Sequence, residues 1–83
     1  MYTVETRVTG KSVVRARNLT QAIKIALQDC SVTGLEVNIW NDESGRLSSV
    51  VKKDRTRFLI IRFVRGIGTT YVLSKDGTIG KKV

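Results

Sequence analysis

Histidine is absent from the chain, which removes the commonest general base and the commonest metal ligand. A single cysteine, Cys30, excludes an internal disulfide framework and fits a reducing, cytoplasmic setting. No apolar run approaches the ~18–20 residues that a membrane span requires. The opening Met1-Tyr2-Thr3-Val4-Glu5 lacks the basic and apolar regions of a signal peptide. Repeats, linkers and low-complexity segments are missing too, so residues 1–83 read as one domain without a membrane partner. The seven acids are scattered, mostly in turns or across from cations, and do not form a catalytic pair. Gly66-Ile67-Gly68-Thr69-Thr70 lacks the spacing of a phosphate-cradling motif and precedes a strand, so it reads as a hairpin turn. These absences predict a chain that is not an enzyme and that has no metal and no cofactor.

What the chain has in excess is positive charge. Net charge is +8 and the sequence pI is near 10.3, a balance that favours nucleic acid, anionic surfaces or acidic proteins. The most basic stretch is also the most apolar. Thr56 to Arg65 (Thr-Arg-Phe-Leu-Ile-Ile-Arg-Phe-Val-Arg) contains no Gly or Pro and reads as a strand apolar on both faces, suited to the middle of a sheet. From Arg46 to Arg65 there are seven cations and one acid, Asp54.

Tyr2 to Val8 alternates, and Val13 to Arg17 follows after Thr9-Gly10-Lys11-Ser12, a short hairpin connection. Placing Tyr2 and Val4 on one face with Val14 and Ala16 leaves Arg7, Arg15 and Arg17 outward beside Glu5; a one-residue slip would bury the arginines. Asn18 is an N-cap candidate, with Gln21 three residues on to complete a capping box. Leu19, Ala22, Ile23, Ala26 and Cys30 form an apolar stripe, which predicts a helix over 19–30 with Lys24, Gln28 and Asp29 facing water. On that stripe Cys30 is a small buried hydrophobe rather than a nucleophile. Leu35 to Asn41 and Arg46 to Lys53 read as a hairpin around Asp42-Glu43-Ser44-Gly45. Its register sets Asp42 opposite Arg46 and Glu36 opposite Lys52, with Leu47 on the same face as Val37 and Ile39 and with Trp40 outward. A turn at Gly66-Ile67-Gly68, a strand over 69–74, a turn at Lys75-Asp76-Gly77 and a short basic tail complete the chain.

The predicted fold is α+β: a single curled antiparallel sheet of five to six strands, in the order ββαββββ, with one helix packed on one face. A helix of about twelve residues spans ~18 Å and cannot cover such a sheet at ~4.8 Å per strand. Because Arg62 interrupts the other side, Leu59, Ile61 and Phe63 are expected to face the helix. Phe58, Ile60, Val64 and Trp40 then need different cover: a curl of the sheet, a partner, or a second copy in a weak homodimer.

The candidate binding residues are Lys52, Lys53, Arg55 and Arg57 around an interstrand loop, with Arg62 beyond it and Trp40 as an aromatic anchor. Such a loop can contact phosphates, or it can simply guard a strand edge. Trp40 can stack on a base or fill a hot spot, or complete a second small core with Phe58 and Ile60. Arg7, Arg15 and Arg17 form a secondary basic stripe.

The hairpin, then Ala16-Arg17-Asn18-Leu19-Thr20-Gln21-Ala22 opening a helix, then Gly34 and the hairpin at Gly45-Arg46-Leu47, resembles a layout of small phage-encoded proteins that includes anti-CRISPR proteins. The resemblance covers residues 1–53, and the strands from Thr56 onward depart from it. It implies a non-enzymatic binder that meets a host nucleoprotein through exposed Lys and Arg. The expected function is therefore a small basic module contacting nucleic acid or a nucleoprotein. The alternative is an inhibitor or adaptor that docks on an acidic host protein through an open sheet face (Trp40, Phe58, Ile60), with charge used for steering.

Overall fold

Alternation of apolar and polar residues sets the first hairpin: β1 (Tyr2–Thr6) pairs antiparallel with β2 (Ser12–Ala16), with Tyr2 opposite Ala16 and Val4 opposite Val14. A computed structural model describes residues 1–7 and 12–83; Val8 and the expected connection over 9–11 lie outside the described residues. After α1 (Leu19–Thr33) come β3 (Val37–Asn41), β4 (Arg46–Asp54), β5 (Arg57–Val64), β6 (Ile67–Leu73) and β7 (Ile79–Lys82). Among the described residues seven strands form one sheet, in the order β2-β1-β3-β4-β5-β6-β7, with every neighbouring pair antiparallel. From β3 onward the sheet is a meander; only α1 makes a crossover, laying β3 beside β1. The fold is α+β as expected, with one more strand than the ββαββββ order. The extra strand is β7, expected as a tail. Gly80, Lys81 and Lys82 are poor strand formers, and pairing with β6 overrides that preference.

The helix begins where its cap predicts. Asn18 Oδ1 accepts the Gln21 N–H at 2.8 Å, and Gln21 Oε1 accepts the Arg17 N–H at 2.9 Å. It runs three residues past the predicted end at Cys30 and stops at Gly34, whose φ of 71° turns its N–H onto the Cys30 carbonyl at 2.8 Å. The propensity cost of Ser31, Val32 and Thr33 is a few tenths of a kcal/mol each, too little to end a helix ahead of that cap. Ala22, Ile23, Ala26, Leu27 and Cys30 are buried. Asp29, expected to face water, is buried as well, and its carboxylate accepts the Arg7 N–H at 2.9 Å. The end of β1 supplies the backbone donor there.

A flat sheet of seven strands is about 29 Å wide against about 10 Å for a helix, so α1 alone cannot cover it. The β6–β7 turn reaches the helix: a Cβ on Gly77 would lie 3.1 Å from Lys24 Cγ. One core joins Val4, Ala16, Val37, Ile39, Val51, Phe58, Ile60 and Leu73 to the helix, with Tyr71 and Ile79 packed against it.

The helix-facing side of β5 is the reverse of the expected one. Phe58 and Ile60 lie in the helix-side core, while Leu59, Ile61 and Phe63 face away. Arg62 does not forbid this. β5 extends about 27 Å over its eight residues, and Arg62 sits between Ser49 and Thr69 toward the end away from Phe58. The β3–β4 register also departs from expectation at one point. Val37 pairs with Val51 and Ile39 with Ser49, but the register then shifts, so Trp40 meets Leu47 and Asn41, not Asp42, meets Arg46. The shift moves Leu47 to the face carrying Trp40. β4, not β5, is the middle strand.

Candidate nucleic-acid interface

Charge divides with the fold. Residues 46–83 hold ten of the fifteen Lys and Arg but only two acids, Asp54 and Asp76; residues 1–45 hold the other five cations and five acids. The whole net charge of +8 therefore resides in β4–β7 and their turns.

The predicted site residues do not share one surface. Lys52 pairs with Leu59 and Arg57 with Asp54, which puts Lys52 and Arg57 on the helix-free face. Lys53 pairs with Phe58 on the opposite face, its ammonium 5.9 Å from the centre of that ring. The loop expected between the strands is a tight turn with Arg55 and Thr56 at its tip. Arg57 lies 3.7 Å from Asp54 in an exposed ion pair. Arg62 is half-buried on the helix side and its enclosed Nε has no hydrogen-bond partner, so it is not a free surface cation. Of the secondary stripe, Arg15 is exposed and pairs with Asp42 at 3.6 Å. Arg7 and Arg17 follow the ends of β1 and β2 and engage Asp29 and Gln21 through their backbone N–H groups.

Trp40 is on the helix-free face, half-buried, with its indole N–H donating to Glu5. It does not build a core with Phe58 and Ile60, which lie on the other side of the sheet. Its apolar companions are Leu47, Val50, Leu59, Ile61, Phe63 and Val72; Val50 and Leu59 are 7% and 5% exposed. The open face thus carries a thin apolar layer of its own, with the indole and the Phe63 ring half-exposed.

An antiparallel meander brings alternate turns to the same end of the sheet. The β3–β4 and β5–β6 turns stand together there and bound a cleft of about 480 Å³, lined by Asn41, Ser44, Arg46, Leu47, Ser48, Phe63, Arg65 and Gly66. No acid is in that lining, and among the described residues neither Arg46 nor Arg65 is in an ion pair. The sequence reading passed over both arginines, although each adjoins a turn glycine (Gly45-Arg46 and Arg65-Gly66). Counting turn parity along the meander is the signal that would have found them.

Among the described residues there is no cluster of His, Cys, Asp and Glu able to hold a metal, and no helix is long and apolar enough to cross a membrane. Cys30 is buried, and burial first, Asp29 second, push its thiol up. Asp76 is exposed, and hydrogen bonds from Thr78 hold its carboxyl below the ordinary value. Neither group lies in the cleft. Comparison with known proteins finds no family model, no curated protein and no solved structure that matches the chain.

Proposed function

We propose that this chain is a non-enzymatic, cytoplasmic binding module whose basic β4–β7 half meets nucleic acid, alone or within a nucleoprotein. The observation that carries this reading is the confinement of the whole net charge to residues 46–83. Polyanion binding draws its free energy from counterion release, so affinity falls with salt in proportion to the phosphates neutralised. The resemblance of residues 1–53 to phage-encoded anti-CRISPR proteins points to the same class of partner. The test is a titration of labelled single strand and duplex over a range of salt. The log–log slope should approach about 0.7 per contacted phosphate for a single strand and about 0.9 for a duplex. Absence of binding at low salt, or a flat salt dependence, rejects the proposal.

A second reading rests on the open face. Trp40, Leu47, Ile61 and Phe63 are half-buried on a side of the sheet with no helix over it, as in a surface that docks on an acidic host protein. Under this reading Trp40→Ala weakens a protein complex by a few kcal/mol while nucleic-acid affinity at fixed salt stays unchanged.

A further inference from the structure

The cleft between the β3–β4 and β5–β6 turns combines an apolar floor, an aromatic ring and two arginines without a neutralising acid in its lining. Its volume of about 480 Å³ lies at the lower end of the range for small-molecule sites. Leu47 and Phe63 belong to the helix-free face, with Ser48 at the register shift between them. Arg46 lines the cleft from the start of β4 and Arg65 from the β5–β6 turn, so both of its sides carry an arginine. Guanidinium groups are the side chains best matched to phosphate oxygens, and an aromatic ring beside them is the usual platform for an unpaired base.

Both walls are built in advance. In the first, Asn41 Oδ1 accepts the N–H of Glu43 at 2.9 Å and of Ser44 at 3.4 Å, and Ser44 Oγ accepts the Arg46 N–H at 3.2 Å. Those bonds occupy the Asn41 carbonyl oxygen and leave its NH₂ group to donate to a ligand. In the second wall, Arg65 and Gly66 have φ of 52° and 79°, the left-handed pair of a two-residue hairpin turn. Asn or Gly is the residue such a turn selects at its first position. Arg55 takes the same left-handed conformation in the β4–β5 turn, with φ of 58°, so this local cost is common to both basic turns and it is the lining, not the strain, that distinguishes the cleft.

We infer that this cleft takes one nucleotide unit of single-stranded nucleic acid, its phosphate between Arg46 and Arg65 and its base against Phe63. The inference rests on the nucleic-acid reading above and adds to it a strand preference and an address. It also uses Trp40, the only tryptophan. Trp40 lies opposite Leu47 in the β3–β4 ladder, and Leu47 lines the cleft, so occupancy changes the indole emission.

The experiment measures binding of a short oligothymidylate, and of a duplex of the same length, to the whole chain by fluorescence and by amide chemical-shift mapping. The variants are Phe63→Leu, the pair Arg46→Gln/Arg65→Gln, and the charge-matched Lys24→Glu, at an exposed position of α1 in the half without net charge. Expected are shifts centred on Ser44–Ser48 and Phe63–Gly66, with a change in Trp40 emission. Phe63→Leu should lower single-strand affinity about tenfold and leave duplex affinity unchanged. The Arg46/Arg65 pair should reduce the single-strand salt slope by about 0.7, and Lys24→Glu should not.

A separate variant, Arg65→Asn, creates the favoured Asn-Gly turn. It should raise the melting temperature while weakening single-strand binding, a combination that a purely structural role for Arg65 does not produce. If the unmodified chain binds neither probe at low salt, the nucleic-acid reading falls and this inference with it. If the chain binds but the cleft variants match Lys24→Glu, or the shifts centre on Lys52–Arg57, the cleft inference alone is overturned.

Discussion

The indole N–H of Trp40 donates to a carboxylate oxygen of Glu5 two strand positions away across the β1–β3 pair, and the Asn38 amide approaches the same oxygen at 3.4 Å. Trp40 stands directly opposite Thr3, so Glu5 is its diagonal neighbour, within reach of a long side chain. The one tryptophan of the chain is thereby pinned to the half of the sheet without net charge, while Leu47 beside it belongs to the basic half.

Removing that acceptor has a calculable cost. Hydrogen bonds to a charged group contribute about 1.5–3 kcal/mol, and the half-buried setting here reduces the figure. Glu5→Ala should therefore lower stability by about 1–2 kcal/mol and shift Trp40 emission toward the red. Glu5→Gln, which keeps an acceptor, should cost less than half as much. Chemical denaturation followed by tryptophan fluorescence reads both effects, and equal losses for the two variants would refute the role given to the carboxylate.

Gly68 lies opposite Phe63 in the β5–β6 ladder, and a Cβ on it would sit 2.9 Å from Phe63 Cε1 and 3.1 Å from Ile61 Cγ2. Alanine normally gains about 0.5–1 kcal/mol over glycine in a strand. Here the overlap with two side chains, both of which must shift, is the larger effect. Gly68→Ala should lower the melting temperature, and it should move the Phe63 ring resonances because the ring is what must give way. A stabilised variant with an unmoved ring would contradict the packing described.

Most of the fold was legible in the chain because its signals are local. Asn18 and Gln21 announce the helix start, Tyr2/Val4 against Val14/Ala16 sets the first hairpin, and Phe58–Val64 reads as an interior strand. The features that escaped are set by tertiary geometry. Which side of β5 meets the helix depends on how far the helix reaches along the strand, and no periodicity encodes that. The register shift that turns Leu47 outward has no residue signature, since Ser48-Ser49 fits either register. β7 exists because β6 offers it a partner. The candidate site suffered most: residues close in sequence (Lys52, Lys53, Arg57) separate onto two faces, whereas Arg46 and Arg65, nineteen positions apart, line one cleft.

Cys30 gives the chain a pH dependence of defined sign. Burial and Asp29 make the folded thiol hold its proton to higher pH than the unfolded thiol does. Above the ordinary thiol value of about 8.5, the unfolded chain ionises while the folded chain does not, so unfolding gains. The stability from this group is fully present below that pH and declines as pH rises toward the folded value. Cys30→Ala should therefore lose less stability than the unmodified chain between neutral and mildly alkaline pH, although it starts lower for want of packing. Alkylation in native buffer should be slow and should become fast in denaturant. Rapid native alkylation would mean that the thiol is reachable without unfolding.

Self-association is expected at the edge that carries the least repulsion. β2 and β7 are the two edges of the sheet. β7 bears Lys81 and Lys82 and belongs to the half that holds the net charge, and edge lysines discourage pairing. β2 belongs to the neutral half and presents Val13 and Val14 at 65% and 38% exposure. Two copies pairing antiparallel through β2 would cover those valines and keep both basic halves at the far ends. Each copy still carries +8, so the remaining repulsion is long-ranged, and added salt, with a Debye length of about 10 Å at 0.1 M, weakens it. The dimer should accordingly be weak and should strengthen as ionic strength rises, opposite in sign to the salt dependence of nucleic-acid binding. Val13→Lys should abolish it without affecting the cleft at the other side of the sheet. Sedimentation equilibrium at two salt concentrations distinguishes the cases: a monomer at both, or a dimer that persists in Val13→Lys, removes β2 as the contact.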